Sequence, residues 1–236
     1  MASVRVYRAS RLEAGHVREM GAAHVAVATG ANWRRDGVGR AHSAAVPGFG
    51  GASVYTPDDV MAGAAIMGPV VVFDDDHYYI GGVLAEKLRQ LGLAVTLVTP
   101  AESASHWTHN TLEHERIQTR LLALGIEIVA NRRVTAFHGD HAATACVYTG
   151  RPRDIPCRAI VTATARLPND DLCRSLRSDP ESLAAAGIKS VTPIGDAFAP
   201  ATIAHAVYAG HRYARELDAA VDSDRPFGRE LPMASQ

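Results

Sequence analysis

Residues 68–98, GPVVVFDDDHYYIGGVLAEKLRQLGLAVTLV, constrain the fold more than any other stretch of the chain. Val70 to Phe73 is a short unbroken apolar run, which reads as a buried strand. A helix follows over about 80–91, Gly92 stops it, and 94–98 (AVTLV) is a second strand. The rhythm then repeats. A helix over about Asn110 to Leu124 carries Leu112, Ile117, Leu121, Leu122 and Leu124 as its apolar residues, Gly125 ends it, and IEIV at 126–129 is a third strand. Strands alternating with helices of this length predict an α/β fold with a parallel, doubly wound sheet.

The flanks are less regular. SVRVY (3–7) alternates like a short strand, Ser10 can cap a helix over Leu12 to Met20, and HVAVA (24–28) is a strand closing in Thr29-Gly30. From Ala31 to Gly68 periodicity is weak and glycine and proline are frequent, apart from a short helix over 56–61. So long a connection is uncommon inside one compact domain and reads as a crossing between two. Val134 to Tyr148 reads as an antiparallel meander turning near Gly139-Asp140, and AIVTA (159–163) as one more buried strand. Short helical pieces follow, then a strand from Val191 ending in Gly195-Asp196, then a long helix over about 201–219 and a loosely held tail. The expected division is 1–66, 67–166 and 167–236, with the first and third parts forming one domain.

Apolar residues make up 47% of the 236, enough for a sizeable core, and the net charge of -1 offers no basic field for nucleic acid or a membrane surface. No run approaches the ~18 apolar residues of a membrane helix, and the N-terminus lacks a signal-peptide core, so a cytoplasmic location is expected. Cys146, Cys157 and Cys173 are too few and too far apart for an iron–sulfur or zinc motif and read as reduced structural thiols.

The loop Asp74-Asp75-Asp76-His77-Tyr78 stands where a dinucleotide-binding protein keeps its phosphate-cradling glycines. With Gly81 as the third glycine of G-x-G-x-x-G, the first two positions are Asp76 and Tyr78. A tyrosine at the second position fills the space of the pyrophosphate, and three carboxylates repel it. The third glycine serves helix–strand packing, and it alone is kept. The acid expected at the end of the second strand to bind ribose is replaced by Thr99. The unit thus keeps the packing residues of a dinucleotide fold and lacks its ligand residues. A metal site at Asp74–His77 is disfavoured because neighbouring side chains at a strand end point to alternating sides. His106, His109 and His114 share no helix face at a metal spacing and read as surface or hydrogen-bonding histidines, so no metal site is expected.

Five stretches together carry a likeness: HVAVATGANWRRDG (24–37), YTPDDVMAG (55–63), GPVVVFDDDHYYIGGVLAEKL (68–88), VTATARLPNDDL (161–172) and PIGDAFAPATIAHAVYAGHRYARE (193–216). They resemble the C-terminal half of the trimethylamine dehydrogenase family, which also includes dimethylamine and histamine dehydrogenases, N-demethylases and, more distantly, dienoyl-CoA reductase. The resemblance implies a Rossmann-like NAD-type domain inserted in a partial FAD- or ADP-binding domain of glutathione-reductase type. It further implies an oxidoreductase chain supplying the C-terminal part of an amine dehydrogenase- or N-demethylase-like flavoprotein.

The family's FMN barrel and [4Fe-4S] cysteine cluster have no counterpart in these residues, nor does the G-x-G-x-x-G segment. No catalytic residue is therefore assigned, and FMN and [4Fe-4S] are expected only in a partner. The cofactor implied for this chain is FAD or ADP, possibly shared with that partner, a barrel-containing flavoprotein subunit or a second copy. Thr29, Gly30 and Ala31 match the family's ATG turn beside the dinucleotide, and Gly195 and Asp196 match its GD motif. Thr202 and Ile203 open the helix whose N-terminal dipole faces the phosphates. The other readings are a non-catalytic docking module, a truncated gene product and, less favoured, an NAD(P)H reductase domain.

Overall fold

The computed structural model describes residues 4–217. Two compact units emerge: an inserted unit, Asn32–Leu167, and a flanking unit made of Met1–Ala31 with Pro168–Gln236. In chain order the elements begin with α1 (Ala14–Glu19), β1 (His24–Val27), β2 (Ala31–Trp33), β3 (Val54–Tyr55) and α2 (Pro57–Met61). There follow β4 (Val70–Asp74), α3 (Tyr79–Gln90), β5 (Val95–Val98), α4 (His114–Ala123) and β6 (Glu127–Val129). Next come β7 (Arg132–Phe137), β8 (His141–Cys146), β9 (Pro152–Pro156), β10 (Ala159–Ala163) and β11 (Arg166–Pro168). The chain continues with α5 (Asp171–Arg177), α6 (Pro180–Ala185), β12 (Ser190–Pro193) and α7 (Ile203–Glu216).

The inserted unit is a five-stranded parallel sheet ordered β3-β10-β4-β5-β6. Because side chains alternate along a strand, β4 feeds both faces. Val70 and Val72 join Leu84, Leu88, Leu97 and Leu121 under the helices. Val71 and Phe73 join Phe49, Val129, Val134, Phe137 and Ile155 on the other side, where the antiparallel sheet β7-β8-β9 packs. This accounts for an apolar run with no polar alternation. A strand covered on both faces has no solvent side.

The crossing into the inserted unit lies at 31/32 rather than near residue 66. The low-periodicity stretch belongs to the inserted unit because Val46 and Phe49 are buried in its core and the Phe137 amide donates to the Pro47 carbonyl at 2.9 Å. The chain leaves the unit between Leu167 and Pro168, and β2 and β11 pair with each other.

Several expected elements differ. Residues 4–7 form no strand and are exposed, residue 3 lying outside the described residues. Helix α1 starts at Ala14 because Glu13 and His16 cap each other's backbone, so Ser10 is not the cap. The predicted helix from Asn110 splits into a 3₁₀ turn, His106–Thr111, and α4, with Leu112 left-handed (φ 61°) between them. Leu112, read among the apolar residues of that helix, is 93% exposed, whereas Ile117, Leu121 and Leu124 do pack inward. The meander has a third strand, β9, hidden in sequence by prolines at both ends, which an edge strand tolerates. The end of the predicted last helix and the tail lie outside the described residues.

The flanking unit pairs β1 and β12 in parallel, His24 to Ser190 through Val27 to Pro193. Its core is small: Val17, Val27, Cys173, Leu176, Ile188 and Val191. Helix α7 buries no residue, and Ile203, Val207 and Tyr208 are exposed along it. Among the described residues no helix is long and apolar enough to cross a membrane.

Candidate functional site

In open α/β sheets, ligands bind beyond the carboxyl ends of the strands. Each unit has one such edge, and the two edges differ.

In the flanking unit the paired strands β1 and β12 end side by side, with the Ile194 amide donating to the Val27 carbonyl at 2.9 Å. Each strand runs straight into a glycine turn. Gly30 has φ 77° and Gly195 φ 57°, a region that favours glycine. A β-carbon on Gly30 would meet nothing within 4 Å, so the backbone there faces open space.

Thr29 is exposed, but its hydroxyl donates to the carbonyl of Asn169, and the Asn169 side-chain amide returns a bond to the Thr29 carbonyl at 3.3 Å. The Asn169 backbone amide also reaches the Gly30 carbonyl at 2.9 Å. Thr29 therefore fixes the turn, and Gly30-Ala31 presents it. Asn169 was not singled out from the sequence. Its signal is weak, a single polar residue in a polar, turn-rich run.

On the other turn, Asp196 accepts from the Ala201 amide at 3.1 Å and so shapes the loop into α7. Thr202 is the N-cap residue of α7, with its hydroxyl 2.8 Å from His205 Nδ1. Ile203 is 84% exposed. All seven residues read as cofactor-binding thus lie in one unit, around the ends of two adjacent strands and the start of one helix. Glycine turns, open backbone and a helix N-terminus suit the near side of a dinucleotide phosphate.

The corresponding edge of the inserted unit is closed. Asp74 ends β4 fully buried, and its Oδ1 accepts from the His77 amide at 3.0 Å. The amides of Asp75 and Asp76 both donate to the Ala163 carbonyl, at 2.9 and 3.0 Å. Backbone donors that would cradle a phosphate are therefore consumed internally, one of them by the protein's own carboxyl group. The 3₁₀ turn His106–Thr111 covers the loop, with the Trp107 amide on the His77 carbonyl at 2.9 Å and the Arg40 guanidinium 4.6 Å from the Trp107 ring centre.

Burial dominates the electrostatics here. It pushes Asp74 up to about 7, against hydrogen bonds from the His77 and Ser105 amides, and it raises Asp75 and Asp76 as well. Arg40 and Arg166 act on Asp76 in the opposite sense. His77 is driven down to about 4, first by burial and then by Arg40 and His106.

Gly81 is where sequence and structure meet most closely. A β-carbon there would lie 2.3 Å from Asp74 Cγ, so the glycine lets helix α3 close on the buried carboxyl. Gly81→Ala is expected to lower the stability of the inserted unit by about 3 kcal/mol in urea unfolding, as forced overpacking does. The crowding atoms, Cγ, Cβ and Oδ2, belong to the fully buried Asp74 side chain. A loss below about 1 kcal/mol would show that Asp74 is free to swing away.

Comparison with known proteins extends over both units. The family described as the OYE-like second alpha/beta domain matches residues 55–148, within the inserted unit. Dimethylamine dehydrogenase from Hyphomicrobium sp. (strain x) is 32% identical over 241 residues, covering 93% of this chain and 33% of its own length. The solved histamine dehydrogenase from Rhizobium sp. 4-9 is 47% identical with a TM-score of 0.88, covering 96% of this chain and 36% of its own.

The chain is homologous to one part of these two dehydrogenases.

A third relative, the 6-hydroxypseudooxynicotine amine oxidase from Pseudomonas geniculata N1, is 36% identical with a TM-score of 0.80 over 85% of the chain and 30% of its own length. The chain spans about a third of the length of the relatives it matches. Its fold is α/β, a Rossmann-like unit inserted in a partial dinucleotide-binding unit of glutathione-reductase type, as the resemblance implied.

Proposed function

We propose that this chain provides the nucleotide-domain portion of a flavin-dependent oxidoreductase acting on CH–NH bonds, an amine dehydrogenase or N-demethylase. The flanking unit forms one wall of an FAD or ADP pocket from Gly30, Ala31, Gly195, Asp196 and the start of α7, with Thr29 setting the first turn. The observation that carries this reading is the pair of glycine turns at the ends of two adjacent parallel strands. FAD, when bound, would supply electron transfer; the residues of this chain bind and orient it, and none is assigned to the amine chemistry.

The opposite wall comes from a barrel-containing flavoprotein polypeptide or a second copy. Exposed Phe198, Ile203, Val207 and Tyr208 favour such an arrangement, since a row of large apolar side chains around a helix start is suited to being covered. The inserted unit is kept for its shape, and an NAD(P)H reductase role is disfavoured by the closed edge over Asp74–Tyr78.

The test is the absorbance spectrum of natively purified protein, with mass spectrometry of what it releases on denaturation. Released FAD or ADP, lost in Gly195→Val, supports the reading. Protein that releases no nucleotide even with its partner polypeptide present would refute it. Tight NADH binding by the unmodified chain would instead overturn the account of the inserted unit.

A further inference from the structure

The histidines that share no α-helical face are brought together by another geometry. In a 3₁₀ turn, side chains three residues apart eclipse one another, so His106 and His109 fall on one side of the turn His106–Thr111. Their ring centres are 5.2 Å apart. Glu102, from the preceding loop, places a carboxylate oxygen 3.5 Å from His106 Nδ1. One ring nitrogen from each histidine and one Glu102 oxygen lie within 4.8 Å of one another, the one such group of three among the described residues.

We infer that Glu102, His106 and His109 form a binding site for a divalent transition-metal ion of the zinc, copper or nickel class. Two imidazoles and a carboxylate are the donor set these borderline ions take, and three protein ligands leave one position open. Tetrahedral bonds of about 2.05 Å put donors about 3.3 Å apart, close to the Glu102–His106 separation. Drawing all three donors in from within 4.8 Å of one another takes small side-chain rotations, and the Glu102 side chain is 70% exposed.

The surroundings are organised for this. The left-handed Leu112 turns the chain back, and His114 stacks on His109 with ring centres 3.6 Å apart and planes 20° from parallel. Ser103 Oγ lies 2.8 Å from His114 Nε2, and its 3.3 Å contact to His106 Nδ1, the nitrogen that faces Glu102, is the one a bound ion would displace. The turn itself is pinned to the acidic loop through Trp107 and His77, so a bound ion would tie Glu102 to the segment that closes the dinucleotide edge.

The experiment uses the untagged chain at pH 7.5, titrated calorimetrically with zinc chloride, and with cobalt(II) to read coordination by its visible spectrum. One equivalent is expected, with a cobalt spectrum of four- or five-coordinate nitrogen–oxygen ligation. His106→Gln/His109→Gln should lose at least ~100-fold in affinity with an unchanged circular dichroism spectrum. His138→Gln/His141→Gln removes the other stacked histidine pair and should leave binding intact. No binding below millimolar zinc would overturn the site. So would binding that survives the first double substitution or disappears with the second.

Discussion

Gly48→Ala is expected to cost the inserted unit more than about 4 kcal/mol and to leave little folded protein. Gly48 sits at φ 84°, where a side chain costs about 1–2 kcal/mol. Its β-carbon would lie 1.8 Å from the Phe137 carbonyl oxygen and 2.8 Å from the carbonyl carbon. These atoms are backbone and cannot rotate away. Relief would require separating the Pro47–Phe137 hydrogen bond and displacing the neighbouring Phe49 from the core under β4. Urea unfolding followed by the fluorescence of Trp33 and Trp107, both in the inserted unit, measures the effect. Gly50→Ala is the control, since its β-carbon would meet nothing within 4 Å, and it should change stability by less than about 1 kcal/mol. Equal losses at the two positions would mean that the loop packs otherwise than described.

Asp74→Asn is expected to reshape the pH dependence of stability. A carboxyl held at about 7 in the folded state and near 3.8 when unfolded keeps a proton that the unfolded chain gives up. Its contribution is therefore greatest at low pH and is lost as pH rises from about 4 to 7, up to about 4 kcal/mol in all. His77 acts in the opposite sense. Held near 4 against an ordinary 6.5, it makes stability rise by up to about 3 kcal/mol across pH 4 to 6.5. In the wild type the two nearly cancel over that range. Asparagine removes the falling part, so the variant's stability relative to the wild type should rise from pH 4 to 7 and then level off. Asp75 and Asp76, also raised, remain in both proteins. Chemical unfolding of both at pH 4.5, 6 and 8 reads the difference directly. Parallel curves would show that Asp74 titrates as an ordinary carboxylate.

These two positions illustrate what can be read in a linear sequence. The loss of glycine at Asp76 and Tyr78 was legible because it breaks a pattern with a known physical reason, close backbone approach to phosphate. What takes the phosphate's place was not. It is Asp74, whose role depends on the His77 and Ser105 amides, and on a 3₁₀ turn that periodicity merged into the following helix. Leu112 fits an apolar helical face only if no left-handed residue intervenes, and nothing in its neighbours announces one.

The histidines show the same limit. Their spacing was measured against a 3.6-residue helix, and a three-residue turn gives a different answer. In the flanking unit, Thr29-Gly30 and Gly195-Asp196 were visible as turn signals at the ends of β-strands. Asn169, which holds the first turn from 140 residues away, was not.

The sequence by itself determined the parallel α/β core, because apolar runs and helix stops are local and their burial on both faces of a sheet follows from composition. It also determined that the second dinucleotide edge lacks its ligand residues. Tertiary structure alone decided where the units divide, what fills the closed edge and which polar groups meet. Those outcomes rest on hydrogen bonds and close backbone contacts between residues far apart in the chain, whose energies depend on geometry that no local pattern encodes.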